Sequence, residues 1–443
     1  MFFVGLTLRT DFRIFSSAFL IKMIVVPSRM GRINKRALLA CLQQMGVASR
    51  ADLAKSLGLS QPTSGKIVDQ LLELGVIEEF EVPTRPADAT PAPAPRLGRP
   101  GRMLRLHQAT PRFLGLQLGI TETRLKLLPL GANGEDEWTV SVPTPDSAAQ
   151  WQEELRKVAP QFRGQSLWGV LISVPGIVDE KEAKVIFSPN LHWTEQASLT
   201  ALVSKIWRVP VILAQEERVL ALGQQALVPD SRDFLLVDVG EGVGGAVVVA
   251  GKLFVHPLPM SGELGHTPIV GNERSCGCGS VGCVETLIST RGLLQSFAAA
   301  TGAARPSWSA FSAQVAEVGV APWLAGTLDA TAGAIAGALN VMGLRQVVIT
   351  GSLNDLPPAV AGHLSAAIQR GALWARFGEV AVEFAPRRRT AGLVAVGLDR
   401  LVVPMAEPER DQETLLHASV GRVGERAGQF QTVKQQSQQN KSQ

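Results

Sequence analysis

The chain has 443 residues, 46% of them hydrophobic, a net charge of +4 and four cysteines. That length accommodates two or three domains with their own cores, and so few cysteines exclude a disulfide-built scaffold and point to a reducing compartment, the cytoplasm. The opening segment MFFVGLTLRTDFRIFSSAFLIKMIVV is interrupted by Arg9, Asp11, Arg13 and Lys22, which leaves no apolar run near the roughly 18–20 residues of a membrane span. No small-residue cleavage site follows it. Residues 1–29 are therefore expected to be an extension outside the fold, with a later start at Met23 or Met30 as one explanation, and no membrane partner is expected.

Residues 30–106 carry eleven Lys/Arg against seven Asp/Glu, so this segment alone accounts for the formal surplus of positive charge. Its sequence RINKRALLACLQQMGVASRADLAKSLGLSQPTSGKIVDQLLELGVIEE divides at Gly46, Gly58 and Gly75 into three short helical patterns. The first places Leu38, Leu39, Leu42 and Met45 on one face. The second opens on Ser49 and Asp52, spaced as a capping box, and turns Leu53, Ala54 and Leu57 inward. The third starts at Ser60, tolerates Pro62 in its first turn, and buries Ile67, Val68, Leu71 and Leu72. Two short helices joined by a glycine turn fit a helix-turn-helix, whose second helix enters the major groove with its N-terminal part. Gln61, Thr63, Ser64 and Lys66 are the expected DNA contacts, although a helical hairpin with a polar face would show the same pattern.

A strand at 76–82 is followed by PTRPADATPAPAPRLGRPGRMLRL, a Pro/Ala stretch suited to a loop or linker, ending in Arg96, Arg99, Arg102 and Arg105. Such a basic arm is similar to the wing of a winged helix, with Arg99 and Arg102 as further DNA contacts and a narrow A/T-rich minor groove as their target. A solvated linker is the simpler alternative.

From Phe113 onward, short apolar runs end at glycine. FLGLQLGITETRLKLLPLG and, 121 residues later, FLLVDVGEGVGGAVVVAGKLF share one plan of buried strand, glycine turn and second strand. Two copies of that opening imply two similar α/β lobes with a cleft between them. Further strands are expected at 167–174, 209–213, 346–350 and 380–384, and a final helix at 390–402 that returns to the first lobe.

Three of the four cysteines, Cys276, Cys278 and Cys283, have the spacing C-x-C-x4-C, with His266 ten residues upstream of the first. Three thiolates and one imidazole make a closed tetrahedral set suited to structural Zn2+. Gly277, Gly279 and Gly282 supply turns that wrap a short loop around one ion.

The order of basic arm, SVPGIVDEKEAKVIFSPNLHW, SGELGH and CGCGSVGCVE resembles the ROK family of sugar-responsive repressors and sugar kinases, over roughly residues 31–404. The resemblance implies an α/β chain with an N-terminal winged helix-turn-helix followed by a two-lobed actin-like ATPase (ribonuclease H-like) body. The expected division is a DNA-binding domain at 30–106, a sugar-sensing domain at 107–404 with lobes near 107–230 and 231–390, and a disordered Gln-rich tail at 405–443. It also implies sugar contacts at Asn190, Gln215, Glu216, Glu263, His266 and Glu285, with His266 touching metal and sugar together.

Three places depart from the kinase pattern. Gln117 stands where D-x-G-x-T has its aspartate, and an amide is a poor partner for Mg2+. QEERVL at 215–220 replaces N-D-A-N-A-A, so the base position holds Glu216, one methylene longer, beside a bulky Arg218. Glu241 places a carboxylate in the second phosphate turn. No catalytic residue is therefore expected beyond a vestigial Glu216. The reading is a cytoplasmic DNA-binding regulator of carbohydrate metabolism, a repressor acting as a homodimer or homotetramer on an inverted repeat. The alternative is a zinc-containing sugar kinase.

Overall fold

The structure, a computed structural model, describes residues 27–81, 102–131, 138–228, 230–256 and 260–404. Residues 1–26 of the expected N-terminal extension, Arg96, Arg99 and the tail after residue 404 lie outside the described residues, while residues 27–29, also expected outside the fold, open the first helix. Among those described, no helix is long and apolar enough to cross a membrane.

The N-terminal part contains α1 (Pro27–Met45), β1 (Ala48–Ser49), α2 (Arg50–Ser56), α3 (Gln61–Glu73), β2 (Ile77–Phe80) and β3 (Met103–Leu106). Both expected caps form. Ser49 and Asp52 bond reciprocally as a capping box at the start of α2, and the Ser60 hydroxyl accepts from the Thr63 N–H at the start of α3, satisfying amides a helix cannot satisfy itself. Gly58 takes φ +63° in the turn between them, a left-handed conformation that glycine adopts without strain. The strands order as β1-β3-β2, and α2 and α3 pack together against this sheet to give the winged arrangement. Met45, expected on the buried face, is 43% exposed at the end of α1.

Ten elements follow: β4 (Pro111–Leu118), β5 (Glu122–Pro129), β6 (Val140–Pro143), α4 (Ala148–Val158), β7 (Gly169–Val174), β8 (Ile177–Asp179), β9 (Lys184–Phe187), α5 (Leu199–Trp207), β10 (Val211–Gln215) and α6 (Glu216–Leu227). The remainder is β11 (Phe234–Val239), β12 (Val243–Val249), β13 (Lys252–Leu253), α7 (Glu285–Ile288), α8 (Thr290–Thr301), α9 (Trp308–Val318), α10 (Pro322–Met342), β14 (Gln346–Gly351), α11 (Pro358–Gly371), β15 (Ala381–Phe384) and α12 (Arg389–Gly397).

Two five-stranded sheets carry one topology. Their orders are β10-β7-β4-β5-β6 and β15-β14-β11-β12-β13. In each, the first strand of the glycine-turn motif has an antiparallel partner on one side, β5 or β12, and a parallel partner on the other, β7 or β14. Continuous apolar runs suit such central strands because helices cover both faces, and every residue of β7 and β11 is buried. The internal repeat read from the sequence is thus a repeat of structure.

The final helix returns to the first sheet, as expected, but ends differently. α12 is regular to Gly397 and continues to Val402 as a π turn. It crosses α6 at very short range. A Cβ on Gly392 would overlap the Val219 carbonyl, and one on Gly223 would overlap the Arg388 carbonyl, so glycine is what permits the two backbones to approach.

The N-terminal part does not hang on a free tether. Leu38, Leu42 and Leu71 belong to the same apolar cluster as Phe113, Leu128 and Val394. Polar contacts reinforce the junction: Arg36 donates to the carbonyls of Asp399 and Val403 at 2.8 and 2.9 Å, Gln43 to Ala391 at 3.2 Å and Gln44 to Gln225 at 3.1 Å. A boundary at residue 106 cuts through continuous packing.

Candidate functional site: a carboxylate-rich cavity beside a thiol cluster

The carboxyl ends of β4, β10 and β11 and the N-terminus of α6 converge on a cavity of about 350 Å3. Its position follows from the fold, because strand ends in parallel sheets leave a crevice between the flanking loops. All six expected sugar contacts, Asn190, Gln215, Glu216, Glu263, His266 and Glu285, line it. They come from segments up to 95 residues apart in the chain, from 190 to 285, brought to one wall.

Their surroundings differ. Gln215 is 2% exposed and its Oε1 makes no hydrogen bond among the described residues, while its N–H donates to Glu180 Oε1 at 2.9 Å. Glu216 is held by its neighbours: Ser173 Oγ donates to Oε2 at 2.6 Å, Arg389 Nε to Oε1 at 3.0 Å and Gln117 Nε2 to Oε1 at 3.4 Å. Glu285 Oε2 accepts from the Val243 N–H at 2.9 Å. Burial, with Glu285 as a nearby like charge, pushes the Glu263 acid up.

The second glycine turn is filled from an unexpected direction. Arg387 Nε donates to Asp238 Oδ1 at 2.7 Å and its Nη2 to Oδ2 at 2.9 Å, a two-point carboxylate pair. Burial would raise the Asp238 acid, but Arg387 and Thr350 hold it below the usual carboxylate range. The Arg387 guanidinium lies against both Gly240 and Gly351, where a Cβ on either would crowd it. It therefore fills the second glycine turn.

His266 joins this cavity to the thiol cluster. Its Nε2 is 3.7 Å from Glu263 Oε2 and its Nδ1 is 3.6 Å from Cys276 Sγ. The donor atoms of His266, Cys276, Cys278 and Cys283 all lie within 4.8 Å of one another, and Cys278 Sγ is 3.7 Å from Cys283 Sγ. A tetrahedron with metal–sulfur bonds of about 2.3 Å has an S–S edge of about 3.8 Å, so the donor set fits one ion. Burial and then the adjacent thiols push the Cys283 thiol up to about 12, a cost that a bound cation reverses. The cluster can hold a metal. The Asn272 side chain, donating to the Cys283 carbonyl and to Thr286 Oγ1 at 3.1 and 3.0 Å, fixes the base of the loop.

The expected DNA contacts are distributed unevenly. Gln61, Thr63 and Lys66 are exposed on the first turns of α3, with Thr63 Oγ1 also 2.8 Å from Ser60 Oγ. Ser64 corrects the expectation: it is fully buried among the apolar face of α3 and its hydroxyl has no hydrogen-bond partner among the described residues, so it presents nothing to a groove. Arg102 is exposed but pairs with Glu79 at 3.2 Å, and Arg105 pairs with Glu78 at 2.7 Å. Arg99 lies outside the described residues.

The residues that sequence reasoning missed are Glu217, Arg387 and Arg389. The run Arg387-Arg388-Arg389 carried the available signal, three consecutive cations leading into a helix otherwise apolar, but its carboxylate partners lie far away in the chain.

Comparison with known proteins places this geometry. The ROK family profile matches residues 113–397, and a winged helix-turn-helix DNA-binding profile matches residues 32–78. The xylose repressor of Caldicellulosiruptor bescii is 26% identical over 276 residues, 59% of this chain and 65% of that relative. The N-acetylmannosamine kinase of Shigella boydii is 33% identical over 185 residues, 40% of this chain and 62% of the kinase. The chain thus spans a little under two thirds of the length of these curated relatives. Among solved structures, a ROK family transcriptional regulator described as a homologue of the Escherichia coli MLC protein superposes with a TM-score of 0.63 at 21% identity, covering 84% of this chain and 97% of that one. With the profile covering most of the chain and the same two-sheet body behind a winged helix, this chain belongs to the ROK family.

Proposed function

We propose that this protein is a sugar-responsive transcriptional regulator, a repressor of carbohydrate metabolism acting in the cytoplasm, and not a kinase. The observation that carries the reading is the path of α6. Its first residue, Glu216, lines the cavity, and near its far end the Gln225 carbonyl accepts from Gln44 of α1. A ligand that shifts α6 acts on α1, which shares its apolar core with the helix-turn-helix.

The effector occupies the cavity against Asn190, Gln215, Glu263, His266 and Glu285, whose amides and carboxylates give directional contacts to hydroxyl groups. Zn2+ held by His266, Cys276, Cys278 and Cys283 braces that wall; when bound it supplies structural cross-linking, and its closed ligand set leaves no open position. Gln61, Thr63 and Lys66 read the major groove, with Arg99 and Arg102 near an A/T-rich minor groove. A homodimer or homotetramer presents paired heads to an inverted repeat. Ligand changes operator affinity only through different affinities for two arrangements of the body.

Phosphoryl transfer is opposed by the site itself. A general base must take the proton of the attacking hydroxyl, yet Glu216 already serves Arg389 and Ser173. Gln117 offers no carboxylate for Mg2+, and Arg387 sits in the second phosphate turn. The kinase reading retains support from the relation to N-acetylmannosamine kinase.

The test is operator binding by the full chain, using DNA fragments selected from a random pool, with and without a panel of hexoses, pentoses and amino sugars. Sequence-preferring, salt-sensitive binding released by one sugar is expected. Robust ATP-dependent turnover of a sugar, or failure to prefer any sequence, overturns the proposal.

A further inference from the structure

Glu217 directly follows Glu216 and lines the same cavity. Its Oε2 is shut off from solvent and makes no hydrogen bond among the described residues. The side chain crosses from α6 to β12, where its carboxyl lies directly against the Cα of Gly244, so it cannot swing out without a gap in the wall. The charged groups around it are Glu216 on its own helix, Asp238 on β11 and Glu263 from the loop before His266. Two of these have guanidinium partners, Arg389 for Glu216 and Arg387 for Asp238, and Glu263 faces His266. Glu217 is the acid in this group for which no cation partner stands in the described structure.

We propose that the ligand is a sugar bearing a primary ammonium group and that Glu217 is the residue receiving it. The inference deepens, and rests on, the reading of the cavity as a sugar site. An ammonium in the cavity brings a counter-charge to the Glu217 carboxyl and to a wall dominated by carboxylates. A hydroxyl or an acetamido group in the same place brings no charge, and a phosphate adds a negative one beside Glu241, whose acid burial and Glu122 already push up.

The pairing carries a proton signature. Without ligand, burial first and then the neighbouring carboxylates push the Glu217 acid up to about 8, so at pH 7 it is largely the neutral acid. An incoming ammonium favours the carboxylate. Glu217 then gives its proton to solvent while the ligand keeps its own, and a new ion pair remains.

The experiment is calorimetric titration of the metal-loaded full chain at pH 7 with glucosamine, galactosamine, mannosamine, glucose, N-acetylglucosamine and glucose 6-phosphate, in two buffers of different ionisation enthalpy. At least one amino sugar is expected to bind tenfold or more tightly than its parent hexose and N-acetyl derivative, releasing about one proton. Glu217→Gln should abolish that preference while melting as a folded protein. The wild-type proton count does not depend on the variant folding. Equal or tighter binding of glucose, N-acetylglucosamine or glucose 6-phosphate, or amino-sugar binding without proton release, overturns the amine assignment and leaves sugar sensing standing. No binding by any of these or by a wider hexose and pentose panel overturns both.

Discussion

Arg389 and Glu216 stand at the first residues of two packed helices and bind each other across 173 positions of sequence, both buried. Removing one partner leaves the other charge uncompensated. Arg389→Met is expected to lower stability by about 3–5 kcal/mol, measured by urea denaturation. The double variant Arg389→Met, Glu216→Gln should recover much of that loss. Restoring the kinase pattern with Gln117→Asp and Glu216→Asp should yield no ATP-dependent turnover while Arg387 and Arg389 remain.

The thiol cluster predicts one metal per chain. Elemental analysis of protein purified without chelator should give close to one Zn2+, and Cys278→Ser should reduce it severalfold. Because the loop ending at Glu285 is the cavity wall, metal removal should weaken sugar binding as well as lower the melting temperature. Loss of metal with full retention of sugar affinity would separate the two functions.

On the reader helix, Lys66→Ala should weaken operator binding at all sequences and reduce the salt slope by about one. Gln61→Ala should relax sequence preference at one position. Ser64→Ala should leave DNA binding unchanged and alter stability little or favourably, since it removes a buried hydroxyl that lacks a partner. Quantitative binding titrations across a salt series distinguish the three.

Glu217 sets a pH dependence of stability in the ligand-free protein. Its acid is raised in the folded state to about 8 from an unfolded value of roughly 4.3. The folded protein therefore holds the extra proton between those values, and stability falls as pH rises through that window. Glu217→Gln should stabilise the protein at pH 8 by an amount on the order of 2 kcal/mol, read as a higher melting temperature, and make no difference near pH 4.

Much of this architecture is legible in local sequence. The buried strands beginning at Phe113 and Phe234, the Ser49 and Ser60 caps and the C-x-C-x4-C spacing each arise from contacts within a few residues, where pattern and physics coincide. Ser64 was also legible, since positions 64, 67, 68 and 71 recur as one helical face and so predict its burial. Its small polar side chain drew attention to the wrong side. Arg387 and Arg389 were not legible, because pairing with Asp238 and Glu216 depends on how the last helix returns to the first sheet. The same holds for Glu217, whose lack of a cation emerges only when the neighbouring acids and their partners are placed together.

The close crossing of α6 and α12 has a mechanical consequence. With Gly223 and Gly392 admitting neighbouring backbone and no space for a methyl group, the pair would turn as one stiff lever. α6 has 12 residues and is about 18 Å long, so a 10° tilt begun at the cavity displaces its opposite end by roughly 3 Å. Beneath each head of the proposed homodimer, a displacement of that size would approach the spacing of one base pair along DNA. In the paired arrangement proposed above, a small adjustment around a ligand would then be enough to put the reading helices out of step with the groove.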